Sequence, residues 1–250
     1  RLAALDVGTN SIRLIVAEAK PDGTYKLLDD EKETGRLGQG MGTSSTLSAK
    51  AMEESALVIA RMKDIANGYG VHKLRAVGTC AVREAGNQKE FLNLVRAGAG
   101  LDLEVISAEE EARLAFMSVS HAFDLRPMAA AVVDIGGGST EVVLSSGGVI
   151  EQISTLPLGA VRLTDRFGVS APGDEQAFES MCKVIRKTID KHLEKPTFTP
   201  QLLIGTGGTF TTLAGMAMNW DRAQPHDRSS VAANVRAYEI PGSMVKHLLG

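Results

Sequence analysis

The sequence predicts an α/β fold built twice, each half a mixed β-sheet flanked by helices. Three observations carry that expectation. A strand–turn–strand phrase occurs near the start and again about half a chain later. In each half three strands come first, followed by alternating helix and strand, the order of a mixed sheet covered by helices. Glycine, at 26 of 250 residues against an average of about 7%, gathers in the turns.

In the first half, Leu2–Leu5 and Ile12–Ala17 are apolar strands joined by Asp6, Val7, Gly8, Thr9, Asn10 and Ser11. Tyr25–Leu28 is a third strand, and a glycine-rich loop holds Arg36, Gly38, Gly40 and Gly42. A helix runs from about Ser48 to Asn67, with Ser48 as its N-cap and Gly68 and Gly70 closing it. Leu74–Val77 is a strand, Lys89–Ala97 a helix, Leu103–Ile106 a strand and Ser107–Phe123 a helix. The second half repeats the order: strands at 129–134, 140–145 and 149–155, a helix near 174–193, a strand at 202–205 and a helix at 209–218. One of 8 prolines precedes 124–128 and seven lie at or beyond it, which sets the expected domains at 1–125 and 126–250. The chain opens almost directly on a strand, and the helix Ser243–Leu249 stops abruptly, so truncation is expected at both ends.

Composition excludes several classes. With 44% hydrophobic and 23% charged residues the chain is not disordered, and its length suits one large or two modest domains. The net charge of −3 is spread evenly, with no basic stripe, which argues against DNA binding through counterion release. The longest apolar runs, such as Met128–Val133, are strand-length, far below the ~20 residues that span a bilayer, and no secretion signal is recognisable. Cys80 and Cys182, in apolar surroundings, read as reduced thiols of a cytoplasmic protein. His72, His121, His192, His226 and His247 form no zinc-ligand spacing.

Three Gly/hydroxyl turns follow apolar strands: Gly8–Ser11 (Gly8, Thr9, Asn10, Ser11), Gly136–Thr140 (Gly136, Gly137, Gly138, Ser139, Thr140) and Gly205–Thr209, with Gly207, Gly208 and Thr209 at a helix start. Such turns let backbone N–H groups converge on an anion, and they also serve as plain hairpins and caps. Asp6 and Asp134 each end a strand before a turn, and Glu141 lies just past the second. Facing one another across a cleft, these carboxylates suit a hard cation; alone, an Asp there makes an Asx-turn. Ser107 with Glu110 is a capping box, and Glu109 and Glu110 suit a helix's first turn. Glu111, one residue further in, fits either that role or a general base at the carboxyl end of a strand. Arg83, after the strand ending near Thr79, is either a solvated helix arginine or a bidentate phosphate ligand.

Taken together, these motifs resemble the exopolyphosphatase/guanosine pentaphosphate phosphohydrolase (Ppx/GppA) family, within the sugar kinase–Hsp70–actin superfamily. The resemblance covers nearly the whole chain. It rests on Asp6–Ser11 with Arg13, Arg36-Leu37-Gly38, Thr79–Arg83 ending at Asn87, Ile106-Ser107, Glu110–Arg113, Asp134–Glu141, Leu156–Gly159 and Gly205–Thr209. It implies two actin-like (ribonuclease H-like) domains with the active site in the cleft between them. It also implies Mg²⁺-dependent hydrolysis of a terminal phosphoanhydride, from polyphosphate or from pppGpp, by a chain that is a homodimer in long relatives. By position, Glu111 takes the catalytic glutamate and Arg83 the phosphate-contacting arginine. Asp134 and Glu141 take the acidic positions tied to metal, beside Asp6, Gly136–Ser139 the phosphate loop, and Arg13 a nucleotide contact. Departures are Ala108 where Gly is usual, Gln39 where Glu is common, no His-Gly pair near 226–238, and no further C-terminal helical domain. A kinase of the same superfamily, and a non-catalytic (p)ppGpp sensor, are the rival readings.

Overall fold

In a computed structural model that describes residues 1–168, 174–220, 235 and 237–248, the duplicated pattern becomes two lobes. Lobe I carries β1 (Leu2–Val7), β2 (Ile12–Ala19), β3 (Tyr25–Glu33), β4 (Lys73–Gly78) and β5 (Glu104–Val105). Its sheet order is β3-β2-β1-β4-β5, antiparallel from β1 to β3 and parallel from β1 to β5. Lobe II carries β6 (Ala129–Ile135), β7 (Thr140–Ser146), β8 (Val149–Leu156) and β9 (Leu202–Thr206) in the order β8-β7-β6-β9. The pairing senses match strand for strand, β6–β7 and β7–β8 antiparallel and β6–β9 parallel. His226, most of the 226–238 segment and Leu249 lie outside the described residues.

Period-two alternation explains the first core. Ala3, Leu5 and Val7 on β1 and Ile12, Leu14 and Val16 on β2 point to one face, under α2 (Ala49–Gly68) and α4 (Gln88–Ala99). Ser48 caps α2 as expected, its hydroxyl accepting the Ala51 N–H at 3.2 Å. Phe91 and Val95 on α4 are fully buried against Ile59 and Met62 of α2. Helix α5 (Ala108–Ala122) lies before residue 125 yet buries Ala112, Phe116 and Val119 in the second core, with Ala130, Val132 and Val143. Its apolar face is matched to the second sheet, which sequence order alone does not reveal.

One short helix falls where a loop was expected, and another at the expected strand-to-helix junction. The glycine-rich loop includes α1 (Met41–Ser44), and α3 (Cys80–Glu84) occupies the junction after β4. Helix α6 (Ala160–Phe167) starts straight after Pro157 and Gly159, residues that signal a loop on their own. Lobe II is completed by α7 (Glu175–His192), capped by Asp174, by α8 (Gly207–Trp220), which starts two residues before the expected 209, and by α9 (Gly242–Leu248). Among the described residues, no helix is long and apolar enough to cross a membrane. Because Phe91 is wholly buried in the first core, Phe91→Ala is expected to cost about 3–5 kcal/mol, measured by urea unfolding.

Candidate active site

The two hairpin turns close with the same bond. Gly8 N–H donates to Ser11 C=O and Gly136 N–H to Ser139 C=O, each at 3.0 Å. Asp6 stands at the end of β1 opposite Arg13, and Asp134 at the end of β6 opposite Glu141. The turns also touch across the lobes: a Cβ on Gly138 would lie 2.6 Å from Cys80 Sγ and 2.7 Å from Thr9 Oγ1, so the approach requires glycine. The third turn joins them through Gly207, whose φ of +85° is a left-handed value. No side chain fits there, because Asp134 Oδ1 and Ile135 O occupy the space.

One sequence motif and the segment just after another act as backbone pins for these turns. In lobe I, Arg36 N–H donates to Asn10 C=O and Gly38 N–H to Thr9 C=O, both at 2.9 Å. In lobe II, Ala160 N–H donates to Gly136 C=O at 3.0 Å, and Val161 and Arg162 N–H to Gly137 C=O at 2.9 and 3.1 Å. Asn87, the end of the Thr79–Arg83 motif, is structural, its amide exchanging two bonds with the Leu47 backbone at 2.9 and 3.0 Å.

At the start of α5 the three glutamates separate by role. Ser107 Oγ accepts the Glu110 N–H at 3.0 Å, Glu109 pairs with Arg113 at 2.7 Å, and Glu110 lies 3.8 Å from Arg75. Glu111 turns into the cleft, where its Oε2 accepts from Arg83 Nη1 at 2.9 Å; the same nitrogen donates to Ile106 C=O at 3.1 Å. Arg83 Nε and Nη2 have no protein acceptor among the described residues, which leaves one edge of the guanidinium fork for a ligand. Arg13 by contrast has Nε and Nη2 engaged by Asp30 at 2.7 and 2.6 Å.

The carboxylates crowd one another. Asp6, ringed by protein though still wetted, is raised to about 6 by desolvation and by the negative charges of Glu111 and Asp134, with Arg13 opposing. Burial raises Glu111, against the hydrogen bond and charge of Arg83. Burial raises Asp134 as well, offset in part by the Thr206 hydroxyl. Glu141, 2% exposed with Oε1 buried and unpartnered, is pushed up to about 8, first by desolvation and then by Glu111. Among the described residues no three His, Cys, Asp or Glu side chains form a metal cage. The donor set nevertheless suits Mg²⁺, which takes one or two carboxylates and completes its shell with water and phosphate oxygens. Asp134 and Glu141, adjacent across the β6–β7 ladder, with Asp6 opposite, are the oxygen donors available.

Sequence reasoning did not single out Arg162, Glu84, Thr79 or Thr206. Thr79 lowers Glu111 through its hydroxyl, and Arg162 and Glu84 bridge the lobes. Arg162 follows the Leu156–Gly159 motif by three residues, the one signal that pointed towards it.

A family model described as the Ppx/GppA phosphatase family matches residues 15–247. The chain is 33% identical over 223 residues to Exopolyphosphatase 1 of Mycobacterium tuberculosis, covering 86% of this chain and 63% of the relative. It thus spans less than two thirds of that relative's length. A solved structure of the Aquifex aeolicus PPX-GPPA enzyme superposes with a TM-score of 0.70 at 33% identity, covering 91% of this chain and 73% of that one. An exopolyphosphatase from Cytophaga hutchinsonii gives 0.76 at 29% identity, covering 90% and 72%. The fold class expected from the sequence, two actin-like α/β units, is the one observed.

The buried Glu141 carboxyl sets a pH signature for the metal-free protein. Its folded pKa lies above the ordinary value of 4.5, so ionisation opposes folding. The penalty is absent below pH about 4.5, grows as pH rises and levels off above about 8. Urea unfolding in EDTA at several pH values should show Glu141→Gln gaining on wild type across that window, with the two curves running parallel above it.

Proposed function

The chain belongs to the Ppx/GppA phosphatase family, and from that premise we propose that it removes the terminal phosphate from inorganic polyphosphate by attack of water. The observation that supports this reading is the Arg83–Glu111 pair, set in the cleft against Asp6, Asp134 and Glu141. Phosphoryl transfer asks a protein for charge neutralisation and in-line positioning more than for covalent chemistry, and these residues offer both.

In this mechanism the terminal phosphate rests on the backbone N–H groups of Gly137, Gly138 and Ser139, and on the free edge of the Arg83 guanidinium. Glu111 accepts a hydrogen bond from the attacking water. As the water oxygen bonds to the terminal phosphorus, its proton passes to the Glu111 carboxylate and the bridging P–O bond breaks. The shortened chain leaves carrying the bond's electron pair. Burial makes Glu111 a stronger base than a surface glutamate, while the hydrogen bond and charge of Arg83 favour its ionised form. Asp134 and Glu141, with Asp6, would hold Mg²⁺, which would supply further neutralisation of phosphate charge. The same site would accept the triphosphate end of pppGpp. The net charge of −3 argues against an extended basic track for a long polyanion.

Phosphate release from long-chain polyphosphate, tripolyphosphate and pppGpp, each with Mg²⁺ and with EDTA, tests the proposal. Release from a polyphosphate that chelation abolishes is expected; tight pppGpp binding without release would overturn it in favour of a sensor. Glu111→Gln should lose about 10²–10⁴-fold in kcat with an unchanged circular dichroism spectrum. Arg83→Lys should also be severely impaired, because a point charge cannot reproduce the fork.

A further inference from the structure

One arginine outside the reacting centre holds both lobes. Arg162, on α6 of lobe II, donates from Nε to Gly138 C=O at 2.7 Å and from Nη2 to Glu84 Oε2 at 2.5 Å. Nη2 also approaches Cys80 Sγ at 3.6 Å. Gly138 belongs to the phosphate loop, whereas Cys80 and Glu84 belong to α3, the helix that carries Arg83. Arg162 is only partly exposed, at 29% of its side chain. It lines a cavity of about 150 Å³ between the lobes, together with Thr9, Gly38, Met41, Cys80 and Gly138. Nearby, Asp165 on the same helix accepts the Gly40 N–H of lobe I at 2.6 Å.

The Arg162 bond completes a pattern in the loop. Gly136 and Gly137 carbonyls are taken by the first N–H groups of α6, and Gly138 C=O by the Arg162 side chain. In a planar trans peptide the C=O of one residue and the N–H of the next point in opposite directions. With three consecutive carbonyls turned to α6, the N–H groups of Gly137, Gly138 and Ser139 turn away from it. None of the three has a protein acceptor among the described residues. The third peptide depends on a side chain, and that side chain is anchored to the other lobe.

We infer that Arg162 is a positioning residue: by gripping Gly138 and Glu84 at once, it fixes the lobe II phosphate loop against α3 of lobe I, so that the loop donors and Arg83 address the same phosphate. This rests on the hydrolase reading above. The role needs a fork, because Nε and Nη2 serve partners on different lobes; an ammonium serves one point at a time.

The test compares full-length wild type with Arg162→Gln, Arg162→Lys, Glu84→Gln and the Arg162→Gln/Glu84→Gln double variant, using tripolyphosphate with Mg²⁺. Arg96→Gln, which removes an exposed ion pair with Asp102, is the control and keeps wild-type kinetics. Misplacement of a positioning group costs up to about 10²-fold, so Arg162→Gln should lose roughly 10- to 100-fold in kcat, with KM moving less than threefold. Arg162→Lys should not rescue it, Glu84→Gln should fall between, and the double variant should be no worse than Arg162→Gln. A kcat within twofold of wild type for Arg162→Gln, full rescue by Arg162→Lys, or multiplicative effects in the double variant would overturn the inference. Should Arg162→Gln not fold, wild-type kcat in Glu84→Gln would overturn it alone. If wild type releases no phosphate from any substrate, the hydrolase reading fails first. Calorimetry with orthovanadate then decides the clamp: wild type should bind about tenfold tighter than Glu84→Gln, and equal affinities would refute it.

Discussion

Charge crowding among four carboxylates is the constraint on which the rest of the structure turns. Asp6, Glu111, Asp134 and Glu141 each feel burial, and Asp6, Glu111 and Glu141 each feel another carboxylate's charge. Buried carboxylates stay ionised only where donors or positive charge meet them. Here the guanidinium of Arg83 meets Glu111, while at Asp134 burial outweighs the nearby Thr206 hydroxyl. Glu141 is left with an unpartnered oxygen. Residual negative charge of this kind is unfavourable for the fold by itself and favours a cation beside it.

The duplication shows how one hairpin was put to two uses. Both turns keep the same Gly N–H to Ser C=O closure, and both have later backbone pinning their carbonyls. They differ in what does the pinning. Lobe I uses the Arg36–Gly38 segment, while lobe II uses the start of α6. Only the second arrangement brings in a side chain that crosses to the other lobe, Arg162. The asymmetry matches the placement of chemistry: Arg83 and Glu111 sit on α3 and α5, which meet the second loop, whereas Arg13 beside the first loop is taken up by Asp30.

Elements held by contacts between near neighbours were legible in the letters. The hairpins, the Ser48 and Ser107 caps, the strand-ending aspartates and the repeated order all depend on bonds a few residues apart or on a period-two pattern. Local signals misled where tertiary packing overruled them. No helix was expected between the strand at 149–155 and the helix near 174, yet α6 begins at Ala160, where its first N–H groups are satisfied by the carbonyls of Gly136 and Gly137. Helix α5 carried an unmistakable start, but nothing in its sequence said which sheet would receive Phe116.

By itself, then, the sequence determined an α/β duplication, three donor-rich turns and the residue types able to handle a phosphate. Which of three adjacent glutamates enters the cleft was a matter of helix phase and of Arg83, 28 residues away. The pairing of Arg162 with Glu84 spans 78 residues, and the raised Glu141 carboxyl reflects its burial and the charge of Glu111 on α5. Those features belong to the tertiary structure, because burial and electrostatic coupling exist only once distant segments share the same low-dielectric space.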